Sequence, residues 1–150
     1  MLNNTTAWSP VPIRMVIGVG FIYHGFIKLF TSVGHDNFLL LLNDIGVPAA
    51  EVFSWGIGAL EFFGGIALIL GAFMTITNIL LLVNMAVAMF WVNFPNGFDL
   101  MNVTVLIEAG PKFGVPGLEI NLLYIAGLVS MLLTGAGNYS VDKFREGKAE

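Results

Sequence analysis

Apolar residues gather into four long runs, approximately Pro10 to Phe30, Val52 to Leu70, Ile76 to Val92 and Leu118 to Leu133. Between them lie segments rich in Gly, Pro, Asn and acidic residues. Each run is close to the roughly 20 residues with which an α-helix crosses a hydrocarbon core of about 30 Å, the last two on the short side. Local signals set their ends. Ser9 serves as an N-cap before Pro10 at the first helical position, and Gly34 follows the end of the first run. Gly71 closes the second, and Ala72 to Thr75 allow only a tight turn, so the second and third helices are antiparallel neighbours. Phe94-Pro95-Asn96-Gly97 stops the third, while Val115-Pro116-Gly117 and Gly135-Ala136-Gly137 frame the fourth. The pattern predicts an all-α fold, an integral membrane four-helix transmembrane bundle formed by a single domain over 1–150. Two longer connections, about 31–51 and 94–117, then lie on one side. No repeat or second domain interrupts this organisation.

Composition supports lipid as the solvent of this bundle. Of 150 residues, 57% are hydrophobic and 11% charged, whereas soluble domains carry roughly 25% charged residues. The segment Met1 to Ile13 has no positive n-region, and no small-residue cleavage site follows the first run, so that run reads as a retained helix. With no cysteine, thiol redox chemistry, iron–sulfur clusters and cysteine zinc sites are excluded, and any redox role needs a bound group. The net charge of −4 without a basic run argues against nucleic acid as a partner.

The charge distribution orients the bundle. The connections hold Asp36, Asp44, Glu51, Asp99 and Glu108 against the single Lys112, whereas the carboxy tail holds Lys143, Arg145 and Lys148, with Arg14 near the same face. The positive-inside rule therefore predicts a multi-pass membrane protein with both termini cytoplasmic and both connections external. Trp8, Trp55, Trp91 and Tyr139 fall near helix ends, as an aromatic belt requires. The apolar stretch within Asp99 to Glu108 is too short to span and is expected at the outer interface.

Charges at bilayer depth cost about 2.5–3.5 kcal/mol on insertion scales and so mark functional or paired positions. Glu61 sits near the middle of the second helix, about 13 Å from its outer end at 1.5 Å per residue. Counting back along the antiparallel first helix places His24 near that depth and Lys28 roughly 9 Å further out, four residues apart on one face. Glu61 is therefore expected to pair with His24 or Lys28, and Lys28 could also meet Glu119 at the start of the fourth helix. Together His24, Lys28, Glu61, Glu119 and Asn121 would form a polar pocket in the outer half of the bundle, with Asn84 contributing an amide. Its bland counterpart is a buried ion pair that merely fixes helix register. Arg14 is expected to snorkel to the inner interface, and His35 to be solvated in the first connection. Gly18, Gly25, Gly58, Gly64 and Gly65 make small faces on which the first two helices pack directly. Two histidines so close in sequence do not offer axial haem ligands from two facing helices, and no metal site is expected.

In these residues the chain resembles the DoxX family of small prokaryotic four-helix membrane proteins. The matching segments are Arg14 to Gly18, Tyr23-His24-Gly25, Lys28-Leu29, Glu61-Phe62-Phe63-Gly64-Gly65 with Leu68 and Gly71, Pro95 to Phe98, Glu119 to Leu123, and Gly135 to Asp142. Their order and spacing, over nearly the whole chain, carry the resemblance more than any one motif. The resemblance implies a redox-associated membrane subunit, since relatives are linked to quinol oxidase and thiosulfate:quinone oxidoreduction. On that reading Glu61 and His24 are the catalytic candidates, exchanging a proton with a quinone or bonding its carbonyl. Lys28, Glu119, Asn121 and Asn84 bind a quinone or a small thiosulfate-like anion, and Arg14, Gly64 and Gly65 are structural. No covalent cofactor is implied; a quinone is the bound group. Expected partners are the lipid bilayer and other membrane or redox subunits, with a homo-oligomer as the alternative association. A non-enzymatic accessory subunit is the competing function, and a proton-coupled carrier a third, disfavoured by the absence of inverted repeats.

Overall fold

The computed structural model describes Trp8 and residues 10–147; the Ser9 cap, the segment preceding Trp8 and Lys148 lie outside the described residues. The chain is mostly helical. Helix α1 (Pro10–Phe30) is followed by α2 (Ser32–Asp44), α3 (Ala50–Leu70) and α4 (Met74–Ala88). The axis of α4 continues through a wide π turn (Met89–Asn93) and a 3-10 turn (Phe94–Asn96). Strands β1 (Val103–Ile107) and β2 (Gly110–Phe113) come next, then α5 (Glu119–Thr134) and α6 (Val141–Glu146).

Three helical stretches are long and apolar enough to cross a membrane, Pro10–Phe30, Ala50–Leu70 and Met74–Asn96. Helix α5 has 16 residues, about 24 Å at 1.5 Å per residue, and falls short of that length.

Both connections are more ordered than expected. The first contains α2, because Thr31 leaves the helical region (φ −121°, ψ 129°) and caps a new helix, its Oγ1 accepting from Gly34 N at 3.2 Å. Gly34 is therefore part of a helix start rather than a stop. The second contains an antiparallel hairpin pairing Val103 with Phe113 and Ile107 with Gly110. The β-branched residues Val103, Thr104, Val105 and Ile107 favour the extended chain, and Gly110 at φ 116° turns it. An all-α description thus needs this one amendment.

Helices α1 and α3 cross at backbone contact. A Cβ on Gly65 would lie 2.6 Å from Gly18 O, and one on Gly25 would lie 2.7 Å from Phe62 Cα, so only glycine permits this approach. Gly64 instead faces Leu81 of α4. Phe21, Leu68, Leu81, Leu128 and Met131 form the fully buried centre between α1, α3, α4 and α5. Outward, Val16, Val19, Val52, Phe63, Ile76 and Leu133 are exposed, the apolar surface a bilayer solvates.

At the end carrying the chain termini, the helices are locked by polar contacts. Arg14 does not snorkel: it is 3% exposed. Its guanidinium donates to Leu68 O (2.9 Å), Ile69 O (2.7 Å), Ala136 O (2.5 Å) and Tyr139 O (3.1 Å). Leu68 O also accepts from Gly71 N at 3.1 Å, and Arg14 adds a second donor there and one to Ile69 O at the helix end, while fixing the segment after α5. Asp142 in turn accepts from Phe73 N and Met74 N, both at 2.8 Å, and so caps α4 from a distant part of the chain.

Candidate functional site

Glu61 lies midway along α3, on the face that Gly64 and Leu68 also use for burial. It is 3% exposed, and both carboxylate oxygens have donors. Lys28 Nζ, from the last turn of α1, donates to Oε2, and Asn84 Nδ2, from α4, donates to Oε1 at 3.0 Å. Lys28, counted roughly 9 Å outward of Glu61, meets it because its long side chain reaches back along the bundle. Lys28 also lies under the Phe38 ring of α2, 4.4 Å from its centroid, a cation–π contact that shields the pair from water.

This cluster floors a cavity of about 390 Å³ between α2, α3 and α4, within the roughly 300–1,000 Å³ of small-molecule sites. Apart from Lys28, Glu61 and Asn84, its lining is apolar. Phe38 and Leu42 of α2, with Ile45 just past its end, roof it, and Ile57, Leu60 and Val83 wall it. Helix α2 is held there by His35, which is packed rather than solvated. Its Nδ1 lies 3.0 Å from Lys28 O, and its ring stacks on Trp55 at 4.0 Å.

The other predicted site residues stand apart from this cavity. His24, one turn before Lys28, is exposed and meets Tyr23 edge-on at 5.7 Å; no hydrogen bond ties it to Glu61 among the described residues. Glu119 does not approach Lys28, since its Oε2 accepts from Leu100 N at 3.2 Å and fastens the loop before the hairpin. Asn121 is buried in α5 with its Oδ1 unpartnered among the described residues, and it does not line the cavity. The five-residue pocket therefore contracts to Lys28 and Glu61, with Asn84 as the third member. The α2 residues that complete the site were missed, although Thr31 followed by the Leu39 to Leu42 run is a legible helix start and apolar face. Among the described residues, no group of three His, Cys, Asp or Glu side chains could hold a metal ion.

Residues 9–94, more than half of the chain, match the family model described as DoxX. The chain belongs to the DoxX family. It is accordingly a membrane protein, and lipid is its surroundings. The DoxX match takes in Lys28, Glu61, Asn84 and α2, and ends before the hairpin and α5, so the segments from Pro95 onward that resemble the family lie outside it. No curated protein and no solved structure matches the chain.

Proposed function

We propose that this DoxX protein is the membrane-embedded subunit of a redox system and takes a quinone into the cavity floored by Lys28, Glu61 and Asn84. The observation that carries the reading is a buried carboxylate, held by donors on both oxygens, at the polar end of an otherwise apolar cavity. Reducing a quinone to a quinol takes two electrons and two protons. The Lys28–Glu61 contact holds a proton beside the cavity, and the remaining hydrogens of the Lys28 ammonium and Asn84 amide are donors for a carbonyl oxygen. With thiosulfate as donor, two thiosulfate ions join as tetrathionate and release the two electrons. A thiosulfate-like anion in the cavity itself is disfavoured, because Glu61 already matches the charge of Lys28. His24, on the neighbouring turn, is assigned the exchange of protons with the pair.

In this reading α5 is the fourth span, packed on α4 and α1, and the bundle sits in a prokaryotic cell membrane. Arg14, Lys143 and Arg145 at the terminal end, against the acidic α2 and hairpin end, support cytoplasmic termini. Electron donors would be partner subunits. One observation favours the accessory alternative: Val103, Val105, Leu106 and Phe113 of the hairpin are all exposed apolar side chains, a surface suited to another subunit or a second copy.

The test is quinone reduction by membranes carrying wild-type or Glu61→Gln protein, with thiosulfate as donor. The expected result is a rate lower by about 100-fold or more, the scale of a lost acid–base group. Equal rates, with an oxidoreductase co-purifying in mild detergent, would replace the redox reading by the accessory one.

A further inference from the structure

We infer that the Glu61 cavity is filled sideways from the bilayer, between α2 and α4, by a molecule with an electrically neutral head and a long apolar tail. This route deepens the quinone reading, which supplies the identity of the head; the route and the neutrality of the head stand on the cavity itself.

The mouth identifies the route. Leu80, Val83 and Val87 of α4 line the cavity and are also 47%, 55% and 46% exposed, so they form its rim. They lie within a stretch long and apolar enough to cross a membrane, where an exposed face meets acyl chains. A mouth onto water would carry polar side chains at its edge. Here, among the described residues, the only polar ones in the lining are Lys28, Glu61 and Asn84, at the buried end.

The roof closes the other direction. Phe38, Leu42 and Ile45 turn their apolar side chains onto the cavity, and His35 pins α2 to α1 and α3 through Lys28 O and Trp55. Helix α2 packs on α1 and α3 but makes no substantial packing with α4. The seam between α2 and α4 is therefore the weak edge of the enclosure, and it borders the same rim.

The floor selects the head. Lys28 and Glu61 cancel in charge, so a head bearing net charge would enter a low-dielectric space without a counterion, whereas neutral hydrogen-bond acceptors find the Asn84 and Lys28 donors. A cavity of about 390 Å³ accommodates a ring-sized head, and a long tail must leave through the rim, where acyl chains replace water as its solvent.

The experiment uses the full chain in phosphatidylcholine nanodiscs with a diazirine-bearing polyprenol as photoprobe, its hydroxyl head neutral and its tail prenyl. Cross-links are expected at Leu60 and Val83 and also on the lipid-facing Val19. Val87→Trp at the rim should reduce Leu60 labelling at least tenfold while leaving Val19 labelling unchanged, which reports that the bundle is intact. Leu41→Trp, at a position that lines the cavity from α2, should act alike and covers the case in which Val87→Trp fails to fold. Competition by a long-tailed prenyl quinone, and none by a water-soluble quinone sulfonate, supports both route and head. Labelling confined to Val19, or Leu60 labelling untouched by both tryptophans, overturns the lateral route. Displacement by the sulfonate overturns the neutral head. Cavity labelling that the prenyl quinone fails to displace upholds the route and overturns the quinone reading instead.

Discussion

Replacing Lys28 with methionine keeps most of the apolar stem and deletes the ammonium. Glu61 is then a carboxylate only 3% exposed, with one remaining donor, Asn84 Nδ2 at 3.0 Å. Breaking a buried pair by removing one partner costs about 3–5 kcal/mol, because the other charge stays desolvated. Asn84→Ala removes a hydrogen bond to a charged group and should cost about 1.5–3 kcal/mol. Glu61→Gln strands an ammonium that is 17% exposed and still faces the Phe38 ring, so it should cost less than Lys28→Met. Replacing both charges, Lys28→Met with Glu61→Leu, removes the desolvation penalty together with the attraction, and such exchanges are often neutral or stabilising by about 1–4 kcal/mol. The double variant is therefore expected to be more stable than Lys28→Met alone by roughly 3 kcal/mol or more.

The assay is equilibrium unfolding of purified protein in mixed micelles with a rising fraction of dodecyl sulfate, followed by helical circular dichroism. The informative quantity is the sign of the second step, since differences between variants share the same micelle reference. A Lys28→Met cost below about 1 kcal/mol, the worth of a solvent-exposed pair, would refute the reasoning. So would a double variant less stable than the single, because the carboxylate would then not be a desolvated charge.

Three further outcomes follow from contacts elsewhere in the bundle. Gly65→Ala drives a Cβ to 2.6 Å from Gly18 O and should cost about 1–3 kcal/mol by overpacking, whereas Gly64→Ala meets only the Leu81 side chain at 3.2 Å and should cost less; the same unfolding assay ranks them. Arg14→Lys should not restore the stability lost in Arg14→Ala, because one ammonium cannot reproduce a planar fork reaching four carbonyls; amounts of folded protein in detergent compare the two. Asp142→Ala should lower stability by about 0.5–2 kcal/mol, the range for a lost N-cap, and should speed amide exchange at Phe73 and Met74.

Much of this arrangement was legible because membrane helices make depth countable. Pro10 to Phe30 coincides with α1, and of the two expected partners of Glu61 it is Lys28, counted roughly 9 Å further out, that reaches back to the carboxylate, with Asn84 supplying the expected amide. The count failed where direction around the helix matters: His24 has nearly the right depth and is exposed, and Glu119 turns to the Leu100 amide. Helix α2 lies in a segment that hydropathy marks as a connection, since its 13 residues are too few to span, although its apolar face is what encloses the cavity. The work of Arg14 and Asp142 was invisible for another reason. Their partners are backbone groups of distant segments, and a backbone carbonyl leaves no mark in the residue order.

The distribution of close packing explains why the cavity lies where it does. Near the terminal end, Arg14, Gly71 and Asp142 tie α1, α3, α4 and the segment after α5 together, and Gly64 brings Leu81 against α3. Along α1, glycines hold α3 at backbone distance up to Gly25. Toward the hairpin end no glycine brings α3 against α4: Gly58 meets Leu29 and Lys28 of α1 instead, Phe53, Ile57 and Leu60 of α3 line the cavity together with Val83, Val87 and Ala88 of α4, and α2 supplies another wall. Glu61 sits where tight packing gives way to this gap. A charge placed deeper in the clamp would have no room for a ligand, and one further toward the hairpin would lose the Asn84 donor. The buried pair and the cavity are thus two consequences of one packing gradient, so substitutions that tighten the gap should alter ligand access while leaving the Lys28–Glu61 contact in place.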